Sequence, residues 1–125
     1  MVQGKRKVVA VVDDLLFTVK ISDMAKRTGL QVEFVKSAPD VLEAAKSNPL
    51  LIIIDLNTHA LDPIETIRSL KADPTTKGVS LLGYVSHVHG ELKQRAHDAG
   101  CDMVMARSAF SQNLPMILKR HANAA

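Results

Sequence analysis

The sequence predicts an α/β domain: a parallel sheet with helices on both faces. Five apolar runs recur about twenty residues apart, with stretches of helical period between them. The central runs, "KVVAVV" and "LLIII", are nearly unbroken, as burial on both faces requires. With 125 residues, 46% hydrophobic and 23% charged, the chain suits a single domain over residues 1–125.

The strands are expected at Val8–Val12, Val32–Val35, Leu50–Ile54, Val79–Val85 and Met103–Met105. The first helix, over residues 15–28, carries Leu16, Val19 and Met24 beside Phe17, Ile21 and Ala25, and Gly29 supplies its stop. "SAPDVLEAAKS" reads as a capped helix: Ser37 is the cap, Pro39 lies in the first turn and Asp40 stands three residues after the cap. "DPIETIRSLKADP" repeats the device with Asp62 as cap, Pro63 and Glu65 following, and Ile64, Ile67 and Leu70 as the buried stripe. A helix over about 89–99 turns Leu92, Ala96 and Ala99 inward. The last is expected to begin near Phe110, or closer to Asn113, because Pro115 is tolerated only in a first turn. Gly83, inside the fourth strand, marks either a weak strand interior or a place of close packing.

Composition excludes several classes. No apolar run is long enough to span a bilayer, and the basic "MVQGKRK" start has no cleavage pattern behind it, so neither a membrane span nor a signal peptide is expected. One cysteine, Cys101, allows no internal disulfide and reads as a small hydrophobe at the start of the last strand. These features suggest the cytoplasm. A net charge of +3 is spread over scattered lysines and arginines, and the four aromatics form no stacking patch, so nucleic acid is not an expected partner.

Open α/β sheets bind ligands beyond the carboxyl ends of their strands. Asp13 and Asp14 follow the first strand there, Asp55 ends the third, Ser86 and His87 follow the fourth, and Arg107 follows the fifth. Three neighbouring carboxylates repel, so they must protonate, find cations or hold a metal. Hard oxygen ligands suit magnesium, which keeps waters and bridges carboxylates to phosphate oxygens. Asp55, delivered by a rigid strand, is the best nucleophile for forming an acyl phosphate. Ser86 could offer a hydroxyl to that group, and Arg107 a fork of donors. As a structural alternative, Asp14 could simply cap the first helix. His59, His87 and His89 also fall in loops on this edge and invite a zinc or iron reading, but their spacing matches no ligand signature. His97 and His121 read as helix-surface side chains.

Over essentially the whole chain, "VVAVVDD", "PLLIIIDLN", "VSLLGYVS" and "DAGCDMVMAR" resemble the receiver domain of two-component response regulators, as an atypical member. The resemblance implies a flavodoxin-like doubly wound sheet of five parallel strands, order 2-1-3-4-5, with five helices. It implies Asp55 as phospho-acceptor and Ser86 as the hydroxyl residue sensing the phosphoryl group. Magnesium, or manganese, would be held by Asp13, Asp14, Asp55 and the Asn57 carbonyl, with Asp14 the direct ligand. The implied role is phosphorelay signal transduction. Partners would be a histidine kinase or phosphotransfer protein, and a separate output protein or a homodimer. Any catalysis would be confined to phosphorylating and dephosphorylating its own aspartate.

The chain departs from the receiver pattern in four places. Arg107 stands where receivers carry lysine, and Ser108 replaces the proline that usually follows through a cis bond. "THALDP" replaces the usual loop after the acceptor. Val104 takes the place of the switch aromatic, for which Tyr84 is a candidate substitute. These departures favour a second reading, a phosphorylation-independent interaction module. A metal-dependent hydrolase would need a substrate-enclosing cap, which 125 residues do not provide.

Overall fold

The structure is a computed structural model and describes residues 7–86 and 90–124. Strands β1 (Lys7–Val11), β2 (Gln31–Phe34), β3 (Leu51–Asp55), β4 (Leu81–Val85) and β5 (Met103–Ala106) alternate with five helices. These are α1 (Leu15–Arg27), α2 (Ala38–Ala45), α3 (Pro63–Ala72), α4 (Gly90–Ala99) and α5 (Arg107–Ala124). The strands form one sheet in the order β2-β1-β3-β4-β5, and every pairing is parallel.

The helix starts follow the expected chemistry. Ser37 Oγ accepts from Asp40 N at 3.2 Å, and Asp62 Oδ1 from Glu65 N at 3.2 Å, each answering an amide that the first turn leaves unpaired. Asp14 caps α1, its Oδ1 accepting from Leu16 N at 2.7 Å and Phe17 N at 3.4 Å. Glycine closes α1 and α4. After α1, Gly29 at φ 79° lets Leu30 N reach back to Ala25 O at 2.8 Å; after α4, Gly100 at φ 111° does the same for Cys101 N and Ala96 O at 3.1 Å.

The sheet separates two apolar cores. Val9, Val11, Ile52, Ile54, Leu81 and Val85 face α2, α3 and α4, where Val41, Ile64, Ile67, Leu70 and Ala96 meet them. Val8, Ala10, Ile53, Leu82 and Tyr84 face α1 and α5, meeting Phe17, Ile21, Phe110, Leu114 and Leu118. Ile52, Ile53 and Ile54 are fully buried and contribute about 2 kcal/mol each by removal from water. On α1 only the Phe17, Ile21, Ala25 set is buried; Leu16 and Val19 are exposed, because a single stripe faces the sheet.

One reading of the sequence changes, and one that was left open is decided. The last helix starts at Arg107, directly after β5, so Pro115 lies in its interior. Pro115 is exposed and has no amide to donate to the carbonyl of residue 111, while one turn earlier Asn113 Nδ2 donates to Ala109 O at 2.8 Å. Gly83 is a site of close approach: a Cβ there would lie 3.0 Å from the Leu56 side chain. Cys101 is buried as expected, its Sγ 3.3 Å from Met103 O.

Candidate functional site

The strand order reverses between β1 and β3, so the carboxyl ends of these strands open a crevice. Asp13 and Asp14 stand immediately past β1, and Asp55 is the last residue of β3. Burial rises across this group: Asp13 is exposed, while Asp14 and Asp55 are half-buried. Asp55 is held by its neighbour, its Oδ1 accepting from Asn57 N at 2.9 Å. No described residue donates to its other oxygen. Burial, before any other cause, pushes the Asp55 carboxyl above its usual range. Asp13 and Asp14 push the same way, against the Asn57 amide and the Arg107 charge. The carboxylates therefore act on one another electrostatically.

Arg107 reaches across from the first residue of α5. Its Nη2 donates to Asp14 Oδ2, and its guanidinium lies 4.5 Å from the centroid of the Phe17 ring. The side chains are 43% and 29% exposed for Arg107 and Asp14, so water still reaches the pair. Both oxygens of Asp14 are thereby engaged, one by the helix amides and one by arginine. The expected helix cap and the expected site residue are one and the same side chain. The described chain holds no cis peptide bond, and α5 begins at Arg107 directly after β5.

Ser86 continues β4 at the same edge and is tied to the β3 loop, its amide donating to Asn57 Oδ1 at 3.0 Å. His59 is exposed. His87 and His89 lie outside the described residues. Among the described residues, no group of three or more histidine, cysteine or acidic side chains is already drawn together around a metal position.

An aromatic stack beneath the site is the feature the sequence reading missed. Tyr84 lies 5.1 Å from Phe17 and 4.6 Å from Phe110, centroid to centroid, with near-parallel rings. Its hydroxyl is buried with no hydrogen-bond partner among the described residues. Helical spacing carried the clue: Phe17 stands three residues after Asp14, and Phe110 three after Arg107. Tyr84 cannot stand in for an aromatic at position 104. Val104 pairs in register with Gly83 and packs toward α3 and α4, whereas Tyr84 occupies the opposite face.

No family model matches the chain, and no curated protein sequence matches it. Solved structures do. The receiver domain of a sensor histidine kinase from Pseudomonas aeruginosa, solved with magnesium in its active-site cleft, superposes with TM-score 0.79 at 18% identity, covering 94% of this chain and 98% of that one. A response regulator from Hahella chejuensis gives 0.80 at 18%, covering 93% and 94%. A chemotaxis response regulator of Vibrio cholerae gives 0.76 at 22%, covering 92% and 97%. The chain has the receiver-domain fold. The same superpositions account for five parallel strands in the order 2-1-3-4-5 with five helices, spanning nearly the whole receiver in each case. No helix among the described residues is long and apolar enough to cross a membrane.

Proposed function

We propose that this chain is a response-regulator receiver that accepts a phosphoryl group on Asp55, with a divalent cation, and passes the resulting state on through protein contacts. The observation that carries the reading is the setting of Asp55 at the end of β3. One of its oxygens is fixed by the Asn57 amide and the other takes no bond from a described residue. A carboxylate so anchored can present its second oxygen to phosphorus along a defined line. Transfer leaves an acyl phosphate on Asp55 and takes the donor's leaving group away. Arg107, at the same edge, can pair with phosphoryl oxygens through its planar fork. Ser86, tied to Asn57, can meet the same group with its hydroxyl.

The donor chemistry suits magnesium or manganese: Asp13, Asp14 and Asp55 supply hard anionic oxygens, and the first two act on the Asp55 carboxyl against one guanidinium. Asp13, Asp14, Asp55 and the Asn57 carbonyl would hold the ion. When bound, it supplies charge neutralisation for an approaching anionic donor. A histidine kinase or phosphotransfer protein is the donor this reading implies, with a separate output protein or a second copy as recipient, in the cytoplasm. Incubation with magnesium and acetyl phosphate should add the mass of one phosphoryl group, and Asp55→Asn should not acquire it.

The engagement of Asp14 by Arg107, together with Val104, favours a second reading: a receiver-like module that binds its partner without phosphate. Failure to take up phosphate from any small donor, by a folded protein in magnesium, selects it.

A further inference from the structure

We propose that Arg107 is the resident cation of this site, and that a divalent ion must displace it from Asp14 before binding. Residue 107 then sets how tightly the site holds metal. The proposal rests on reading Asp13, Asp14 and Asp55 as the acidic pocket of a receiver.

Asp14 has two oxygens and two duties. Oδ1 accepts from the amides of Leu16 and Phe17, and a metal taking that oxygen would forfeit the cap of α1. Oδ2 is the oxygen left for a ligand, and Arg107 Nη2 already donates to it. A guanidinium and a metal ion cannot share one carboxylate oxygen without repelling each other.

Arg107 is placed to hold that position. It opens α5, so its backbone is fixed by the helix, and its guanidinium carbon lies over the Phe17 ring, 4.5 Å from the centroid. That ring belongs to the first turn of the helix Asp14 caps, so ion pair and ring contact hold the arginine from two sides. Lysine, a point charge on a flexible stem, would forgo the planar stacking. The pair nonetheless remains partly exposed, so water and ions reach it and exchange is open.

The test is a magnesium titration of the full chain, followed by melting temperature and by the emission of Tyr84, the only tyrosine in a chain without tryptophan. Arg107→Met removes the charge while keeping an apolar stem against Phe17. It is expected to bind magnesium about tenfold tighter than the parent, the scale of an exposed ion pair reinforced by a ring contact. Arg107→Lys is expected to fall between the two and replaces the methionine variant if that one does not fold. Asp14→Asn, which retains a capping oxygen, is expected to abolish binding in either background.

Equal or weaker binding by both Arg107 variants overturns the proposal alone, as does binding that survives Asp14→Asn. Binding by none of the proteins, with no phosphoryl uptake on Asp55, overturns the receiver-site reading and the proposal together.

Discussion

Asp14 and Arg107, ninety-three residues apart in sequence, meet at the carboxyl edge of the sheet, where the Arg107 guanidinium donates to the Oδ2 of Asp14. The other oxygen of the same carboxylate starts α1. One carboxylate thus ties the start of the first helix to the start of the last.

Those two roles are separable by mutation. Asparagine caps helices about as well as aspartate, so Asp14→Asn gives up the ion pair alone, at a cost of about 0.5 kcal/mol for a partly exposed pair. Asp14→Ala loses the cap as well and should cost about 1 kcal/mol more. Urea unfolding of the three proteins measures both steps. An alanine variant no less stable than the asparagine one would show that the cap contributes nothing.

Asp55 carries a pH-dependent strain. Burial raises its carboxyl above the usual value of 3.8, with Asp13 and Asp14 adding to the effect. A folded-state value above the unfolded one means that the folded protein holds this proton more tightly. Its contribution to stability is therefore full below pH 3.8 and is lost as pH rises through the folded value. At neutral pH the ionised group is a burden. Asp55→Asn should raise the denaturation midpoint at pH 7, and the gain should shrink as the pH is lowered toward 4. A gain of the same size at both pH values would refute this assignment.

The sequence announced the strands and helix caps because these depend on local chemistry. Double-sided burial leaves unbroken apolar runs such as Leu51–Ile54, and Ser37 and Asp62 bond to amides three residues on. The start of α5 was less legible. Pro115 reads as a helix breaker, yet α5 runs from Arg107 to Ala124 with that proline exposed in its interior. In the site, Asp14 was legible both as a cap and as a candidate ligand, but its pairing with Arg107 was not. That contact joins the ends of β1 and β5, which are not adjacent in the sheet, and no local spacing encodes it. The stack of Phe17, Tyr84 and Phe110 was hidden for the same reason, since three separate elements supply its rings.

The buried hydroxyl of Tyr84 is a cost with no compensating bond among the described residues. Tyr84→Phe keeps the stack with Phe17 and Phe110 and should leave stability unchanged or raise it by about 1 kcal/mol. Burial also pushes the phenol well above its ordinary value of 10.0, with Asp55 adding to the effect. The unfolded chain therefore releases this proton first, and stability falls as pH rises past 10. Tyrosinate absorbance should appear only together with loss of the far-ultraviolet helix signal. Ionisation while the chain remains folded would contradict the burial.

Gly83 gives a route from the sheet interior to the site. A methyl at this position would lie 3.0 Å from Leu56 Cδ1 and 3.1 Å from its Cγ, and Leu56 is buried between Asp55 and Asn57. The Leu56 amide is held by Tyr84 O at 2.9 Å and its side chain is buried, so the crowding falls on a packed side chain attached to the backbone that follows Asp55. Gly83→Ala should therefore cost about 1 kcal/mol by overpacking and also slow phosphoryl uptake on Asp55. Pairing it with Leu56→Ala removes all three atoms that the methyl would meet, so the double variant should recover most of the uptake rate while each single change lowers stability. Strictly additive effects in that cycle would separate Gly83 from Leu56 and leave the orientation of Asp55 independent of β4.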